Sequence, residues 1–222
     1  MGRILEAYRI PVVPWRVVPT PTAAARAARG IGGSVALKAV APTLLHKSDA
    51  GGVRLGLHDP RAAQVAAAEI RDRVQSAGHA VEGFLVQAMV PTGVEMFVGV
   101  VHDGVFGPVV ACGAGGTAVE LLHDVQVRIA PLADADADAE EMIRSLTTFP
   151  LLDGYRGAPK ADVAGLEDVL LRVSALVDAH HEIAEMDLNP VMVGPDGAVV
   201  VDARIRIESP TRRLPLAARL RG

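Results

Sequence analysis

The residues best suited to chemistry lie near the C-terminal end of the sequence, where polar side chains alternate with apolar ones. Glu185, Asp187 and Asn189 occupy every second position of the segment EMDLNP, so a β-strand would place all three on one face. Residues 194–197, Gly-Pro-Asp-Gly, have the composition of a turn that leads into the next strand. Carboxylate and amide oxygens on one face are the ligands that a hard cation such as Mg²⁺ prefers.

A hairpin closed by residues 194–197 predicts which side chains face each other. The predicted pairs are Asn189 with Asp202, Asp187 with Arg204, and Glu185 with Arg206. Directly opposed residues are close enough for Asn189 and Asp202 to share a cation whose remaining ligands are water and phosphate oxygens. A surface ladder of salt bridges is the alternative, and it explains the two pairs with arginine better than it explains the first pair. A register slip of one residue would remove the prediction.

Three further features suit the binding of phosphate. Lys38 lies within the apolar run of residues 34–40, where a lysine needs a partner unless the strand is at an edge of its sheet. Gly51 and Gly52 precede a second apolar run, and glycines let backbone amides approach phosphate oxygens. Residues 113–116, Gly-Ala-Gly-Gly, come before a helix-like segment that could direct amides at an anion. Residues 113–116 match neither the P-loop nor the dinucleotide-binding pattern.

His46 lies between Lys38 and the glycine pair, next to Lys47 and close to Asp49. A loop histidine can act as a nucleophile or proton carrier because its pKa is near neutrality, although most polar loop histidines have neither role. Cys112 closes an apolar run, which favours a small buried side chain over a reactive thiol.

The elements that must position these residues alternate irregularly along the chain. Patterns typical of helices cover residues 20–30, 60–77, 134–146 and 163–180, and patterns typical of strands cover residues 34–40, 53–57, 84–90, 94–101, 108–112, 125–130, 183–188 and 198–203. Hairpins in the middle and at the end favour an α+β fold with mostly antiparallel sheets over a doubly wound parallel sheet.

Composition excludes several classes of protein. With a net charge of −4 and only 3% aromatic residues, the chain has neither the charge nor the stacking groups for nucleic-acid binding. Its one cysteine excludes a disulfide framework and a cysteine-based zinc site. The N-terminal segment lacks the apolar core of a signal peptide, and the longest charge-free stretch is glycine-rich and too short to span a bilayer. We therefore expect a cytoplasmic protein without membrane or nucleic-acid partners.

Taken together, the motifs resemble a known family. In order they are VALK, PTLLHKSDAGGV, LVQAMV, GVEMFVGVVHDGVFGPVV, GAGGTAVELLHDVQVRIAPL, LLDGYRGAP, EMDLNP and VVVDARI. The sequence is similar to the ATP-grasp domain, or β subunit, of NDP-forming acyl-CoA synthetases such as ADP-forming acetate–CoA ligase. The resemblance implies an ATP-grasp fold with two α+β subdomains, at about residues 1–90 and 91–208, that hold the nucleotide between them, followed by a tail at 209–222.

The resemblance also implies site residues. Those for the nucleotide and its phosphates are Lys38, Lys47, Gly51, Gly52, Glu95, Arg128 and a hinge of Gln87, Ala88, Met89 and Val90 that receives the adenine. Asn189 and Asp202 match the Mg²⁺ ligands, in agreement with the hairpin pairing. His46 matches a histidine that takes phosphate from a phosphohistidine of the partner and passes it to ADP, and Asp187 matches an acid near a phosphohistidine in related succinyl-CoA ligases.

The activity implied is acyl-CoA + ADP + phosphate ⇌ carboxylate + CoA + ATP, with ATP or ADP and Mg²⁺ bound. A separate α-type subunit would supply CoA binding, so the active state is expected to be a hetero-oligomer. Ala88 departs from the acidic or polar residue frequent in relatives, which leaves the choice between ADP and GDP open. The acid, the direction of the reaction and two other functions also stay open: a nucleotide-binding regulatory module and a carboxylate–amine ligase.

Overall fold

Two antiparallel sheets form the framework of the chain, and each has helices packed on one face. The structure, a computed structural model, describes residues 2–42, 51–116, 124–132 and 135–208. Every strand pairing within these ranges is antiparallel, apart from an isolated bridge between Val12 and Val200. The predicted α+β fold class is confirmed.

The described elements agree closely with the patterns in the sequence. The helices are α1 (Gly2–Ala7), α2 (Pro21–Ile31), α3 (Pro60–Ser76), α4 (Ala135–Arg144), α5 (Phe149–Leu152) and α6 (Val163–Ala179), with a 3₁₀ turn at Tyr155–Gly157. The strands are β1 (Trp15–Val18), β2 (Val35–Val40), β3 (Val53–Leu57), β4 (Gly83–Ala88), β5 (Val94–Asp103), β6 (Gly107–Ala114), β7 (Val125–Ile129), β8 (Ile183–Gly194), β9 (Gly197–Val200) and β10 (Ala203–Ile207).

Residues 13–91 form the smaller of two units. Its sheet has the order β1-β4-β2-β3, and the apolar side chains on one face of that sheet pack against α2 and α3. Both helices begin at a capping residue followed by proline: the side chain of Thr20 accepts a hydrogen bond from the amide of Ala23, and that of Asp59 from the amide of Ala62. A capping side chain followed by proline is a common start signal of helices.

The larger unit contains residues 1–12 and the chain from residue 92 onward. Its sheet has the order β10-β8-β5-β6-β7, with β9 paired to β8, and one face packs against α4 and α6. We call the other face the outer face; on β5 it carries Glu95, Phe97, Gly99 and Val101, which alternate with buried core residues. Among the described residues, no helix combines the length and apolar composition that crossing a membrane requires.

The beginning of the chain differs from the expectation. The sequence places residues 1–12 in the N-terminal subdomain, whereas in the structure they pack on the larger unit, because Leu5 and Ile10 are buried in its core. Strand β1 was not predicted. It is a four-residue strand at the edge of its sheet that pairs with β4, about seventy residues away in sequence, so the local pattern carries little of its signal.

Candidate functional site

The C-terminal hairpin has the register that the sequence predicts. Val193 pairs with Ala198 beside the turn, and further along Asp187 pairs with Arg204 and Glu185 with Arg206. Between these two stretches the backbone amide of Asn189 donates a hydrogen bond to the carbonyl oxygen of Asp202 at 3.1 Å. Asn189 and Asp202 therefore face each other, as the proposed cation site requires.

A local break in alternation brings more of the hairpin onto the outer face. Leu188 and Val191 are both fully buried, so the two residues between them, Asn189 and Pro190, both lie away from the core. The facing strand shows the same break, since Val200 and Ala203 are buried and two half-buried residues, Val201 and Asp202, separate them. Because both strands break alternation at the same place, their hydrogen bonds continue through it, including one from the amide of Val201 to the carbonyl of Pro190 at 2.9 Å.

The charges around this pair are unevenly balanced. Glu185 and Arg206 form an ion pair of 2.6 Å. Partial burial raises the pKa of Asp187 above its ordinary value; the positive charge of Arg204 opposes this rise, and the negative charge of Asp202 adds to it. Asp187 and Asp202 thus repel each other, which is the situation that a bound cation relieves.

Next to the hairpin, strand β5 shapes the middle of the outer face. Gly99 lies directly opposite Asp187 and has no side chain, so the face is open beside that carboxylate. Phe97 lies opposite the break at Asn189–Pro190, because the register between β5 and β8 shifts at this point. On the other side of β5, the Phe97 ring packs over Gly113, where an added Cβ would come within 2.6 Å of the ring and 2.5 Å of the Asp124 carbonyl.

Glu95 contacts the glycine cluster at residues 113–116. Its carbonyl oxygen accepts a hydrogen bond from the amide of Gly115 at 2.7 Å. Gly116 has φ of +64°, a conformation that favours glycine, and a Cβ at this position would displace the Glu95 carboxylate. The cluster is thus positioned against a residue that the resemblance assigns to the nucleotide. The helix-like segment expected next, residues 117–123, lies outside the described residues.

Asp124 anchors the chain before β7. Its carboxylate accepts hydrogen bonds from the amides of Thr147 and Thr148, at 2.9 and 2.8 Å, and from the Thr148 hydroxyl at 2.5 Å. Partial burial alone would raise the pKa of Asp124, but these hydrogen bonds outweigh it and hold the pKa below its ordinary value. The ionised carboxylate is therefore stabilised by the fold.

The substitution Asp124→Ala is expected to lower the free energy of unfolding by about 2 kcal/mol at neutral pH, since hydrogen bonds to a charged group are lost. Because folding lowers this pKa, the stabilisation is complete above the unfolded value of about 3.9 and is lost as the pH falls through the folded value. Urea unfolding should therefore show that the free energy of unfolding differs less between wild type and Asp124→Ala at the lowest pH where the protein stays folded than at pH 7. Replacement of the exposed turn residue Asp196 by alanine is the matched control. If Asp124→Ala lowered the free energy of unfolding equally at both pH values, the stabilising role of the ionised Asp124 carboxylate would be contradicted.

Arg128 does not join the residues on the outer face. It pairs with Val110, whose side chain is fully buried in the core, so Arg128 projects toward the helix side of the sheet. There its guanidinium forms an ion pair with Glu141 at 3.3 Å. Val125, Val127 and Ile129, which alternate with it, are the residues of β7 on the outer face. Strand alternation thus separates Arg128 from Asp187 and Asn189, and the structure does not support a phosphate-binding role for it.

Lys38 lies in the interior of the sheet of the smaller unit. Its strand, β2, runs between β4 and β3, and Lys38 pairs with Leu85 on one side and Val53 on the other. The alternative that Lys38 is an edge-strand lysine is therefore wrong. Leu37 and Ala39 on either side of it are buried against the helices, so Lys38 projects from the opposite face of the sheet.

The glycine pair lies directly before β3, the strand that pairs with β2. The Gly52 carbonyl accepts a hydrogen bond from the amide of Ala39 at 2.7 Å. Gly51 has φ of +64°, and a Cβ there would come within 2.6 Å of Nη1 of Arg73 on α3, a contact that no motif in the sequence indicates. His46 and Lys47 lie outside the described residues, as do the other residues from 43 to 50.

The four hinge residues follow one another out of strand β4. Gln87 is 4% exposed, and the strand ends at the half-buried Ala88. The amide of Met89 donates a hydrogen bond to the carbonyl of Ser34 at 2.9 Å, while its side chain is exposed. Val90 is exposed to an intermediate degree beyond the strand. Cys112 is fully buried, and burial raises the pKa of its thiol to about 12, with the charge of Asp124 adding to the rise, so it behaves as a core residue.

Comparison with known proteins places this architecture in a family. A family model described as an ATP-grasp domain matches residues 1–207. The β subunit of acetate–CoA ligase [ADP-forming] I from Pyrococcus furiosus is 37% identical over 204 residues, which cover 91% of this chain and 87% of that subunit. The chain belongs to the ATP-grasp domains of the ADP-forming acyl-CoA ligases.

Two further relatives define how much of such a ligase this ATP-grasp domain represents. Acetate–CoA ligase [ADP-forming] I from Archaeoglobus fulgidus is 42% identical over 205 residues; these cover 91% of this chain but only 29% of the relative. The dinucleotide-forming acetyl-coenzyme A synthetase 1 of Ca. Korarchaeum cryptofilum was solved with coenzyme A and Mg-AMPPCP, its phosphohistidine segment pointing toward the nucleotide-binding site. It has a TM-score of 0.83 and 40% identity over 93% of this chain and 90% of that chain. The predicted family and fold are confirmed.

Proposed function

We propose that this ATP-grasp domain transfers phosphate between a histidine and a nucleotide within an ADP-forming acyl-CoA synthetase, an acid–thiol ligase. The net reaction is acyl-CoA + ADP + phosphate ⇌ carboxylate + CoA + ATP. The observation that supports this most directly is the hairpin register, which puts Asn189 and Asp202 opposite each other beside Asp187. The relatives that match 91% of this chain are themselves named ADP-forming ligases.

Asn189 and Asp202 fit Mg²⁺ by the chemistry of their oxygen atoms. One amide oxygen and one carboxylate suit a hard cation that keeps several waters and binds substrate phosphates. In the described part of the chain, no group of three or more His, Cys, Asp or Glu side chains is placed to hold a metal ion. When bound, Mg²⁺ would supply charge neutralisation at the phosphate oxygens. The Korarchaeum relative was solved with Mg-AMPPCP.

The chain's own residues have separate tasks in the transfer. His46 carries the phosphoryl group on a ring nitrogen; an oxygen of the ADP β-phosphate attacks the phosphorus, the N–P bond breaks, and the electron pair returns to the imidazole. Lys38, with Lys47, provides fixed positive charge for the phosphates. Asp187 orients the imidazole and stabilises its protonated form. Gln87 to Val90 receive the adenine, and Gly51, Gly52 and Glu95 line the path of the nucleotide.

The active assembly requires further protein mass. The chain spans 29% of the Archaeoglobus ligase but 87% of the Pyrococcus β subunit, and a subunit named β implies a partner subunit. We infer that an α-type subunit binds CoA, forms the acyl phosphate and delivers phosphate to His46, and that the working enzyme is a hetero-oligomer in the cytoplasm.

Reconstitution tests the proposal. Mixing the chain with an α-type subunit, CoA, a short carboxylate, Mg²⁺ and ATP should yield acyl-CoA and ADP, whereas either protein alone should yield no acyl-CoA. Labelling by γ-³²P-ATP should appear on His46. Tight binding of Mg-ATP with neither labelling nor activity with any α-type partner would contradict phosphate transfer and favour a regulatory nucleotide-binding module instead.

A further inference from the structure

Two acid–arginine pairs lie side by side on the C-terminal hairpin, and they behave differently. Arg206 is neutralised: its guanidinium contacts Glu185 at 2.6 Å and also forms an ion pair with Glu208. Arg204 lies directly opposite Asp187 in the same register, yet none of the ion pairs among the described residues includes it. A simple ladder of surface salt bridges therefore accounts for the pair of Glu185 and Arg206 but not for the pair of Asp187 and Arg204.

Arg204 is also the arginine that lies next to the candidate cation site. Arg204 and Asp202 lie on the same side of their strand, with the buried Ala203 between them. Diagonally across the hairpin from Arg204 lie Asn189 on one side and Glu185 on the other, both within reach of a long side chain. Arg204 is exposed, and Asp187 opposite it and Asn189 diagonal to it lie within reach of its guanidinium, whereas Glu185 is already paired with Arg206.

Charge explains why an arginine is needed there. Asp187 and Asp202 present two negative charges to any anion that approaches the outer face, and a bound Mg²⁺ only cancels them. Arg204 leaves this group of residues with net positive charge when the cation is bound, so a phosphoryl group is attracted rather than repelled. A planar guanidinium also matches phosphate oxygens through two parallel hydrogen bonds, which an ammonium group cannot do.

We propose that Arg204 is a catalytic residue that binds the phosphoryl group during its transfer between the nucleotide and histidine. This inference rests on the proposed function. In the direction of ATP synthesis the N–P bond of the phosphohistidine breaks while an oxygen of the ADP β-phosphate forms the new O–P bond. The equatorial oxygens of the phosphoryl group carry negative charge throughout, and the guanidinium donates hydrogen bonds to them without giving up a proton.

The test compares Arg204→Gln with Arg206→Gln, a matched control that removes the same charge two residues further along the same strand. Isothermal titration calorimetry of the full chain with Mg-ADP and with Mg-AMPPNP, a non-hydrolysable ATP analogue, separates the γ-phosphate from the rest of the nucleotide. Arg204→Gln should weaken the binding of Mg-AMPPNP about tenfold or more and change the affinity for Mg-ADP by less than about twofold. The reason is that the variant loses a hydrogen bond between charged groups only when the nucleotide has a γ-phosphate. Arg206→Gln should leave both affinities nearly unchanged.

Single-turnover labelling of His46 by γ-³²P-ATP gives the second measurement, with an expected loss of about 100-fold for Arg204→Gln and a smaller loss for Arg204→Lys. Both arginines are exposed, and thermal unfolding should confirm that the variants fold. Equal weakening of Mg-ADP and Mg-AMPPNP, or the same effects in Arg206→Gln, would overturn the role of Arg204 and leave the proposed function intact. A wild-type chain that binds neither nucleotide would instead reject the proposed function.

Discussion

Replacing His46 with alanine should abolish labelling of the protein by γ-³²P-ATP and reduce acyl-CoA formation with an α-type partner by about 10³-fold or more. The substitution removes the nitrogen that forms the covalent N–P bond, and loss of a covalent nucleophile is among the largest single-residue effects known in enzymes. Binding of Mg-ADP should change little, because a nucleotide without a γ-phosphate has no bond to exchange with this histidine. Calorimetry on the same preparations measures that binding.

The matched control for this experiment is His58→Gln. His58 is an exposed histidine immediately before the capping residue of α3, a short way after His46 in the sequence. It should keep full labelling and activity. If His46→Ala still becomes labelled on histidine to the wild-type extent, the phosphate carrier is another residue and the shuttle proposed for His46 is wrong.

Asp202→Asn should have the second largest effect, by weakening the Mg²⁺-dependent part of nucleotide binding about 100-fold. Loss of a residue that only hydrogen-bonds a metal ligand typically lowers metal affinity 10- to 100-fold. This change removes the single carboxylate of the proposed ligand pair itself. The fold should survive, because the substituted side chain keeps an oxygen that can accept the hydrogen bond from the amide of Ala203, now at 3.0 Å from Oδ1.

The measurement is a titration of Mg-ADP binding over a range of Mg²⁺ concentrations, with Asp196→Asn as control. Asp196 lies at the exposed turn of the same hairpin, outside the paired strands, so its charge is removed without touching the Asn189–Asp202 pair. A rise in the Mg²⁺ concentration needed for half-saturation by Asp202→Asn, absent from the control, supports the site. Identical titration curves for wild type and Asp202→Asn would show that the cation binds elsewhere.

The C-terminal hairpin shows how far local sequence can lead. Alternation of polar and apolar residues and one turn of glycine and proline were enough to predict that Asn189 faces Asp202, because hairpin register follows from turn position and period alone. The same reasoning could not predict that Asn189 and Pro190 both leave the core. That break depends on a matching break in the facing strand and on the register shift opposite Phe97.

Arg128 and Lys38 show what the local sequence could not predict. Both were candidates because of their charge, but charge does not tell which face of a sheet a side chain occupies. Alternation about Val110 places Arg128 on the helix side, and the strand order places Lys38 in the interior of its sheet rather than at an edge. Contacts between residues far apart in sequence decide both outcomes.

By itself, then, the sequence determined the family, the fold class, most of the strands and helices, and the register of the hairpin that carries Asn189 and Asp202. All of these follow from local periodicity, turn composition and the order of motifs. Only the tertiary structure decided that β1 completes the smaller sheet, that residues 1–12 pack on the larger unit, and that, within the described ranges, Arg206 forms ion pairs with Glu185 and Glu208 while Arg204 forms none. These depend on which distant segments pack together, and the free energy of that packing is not contained in any short stretch of sequence.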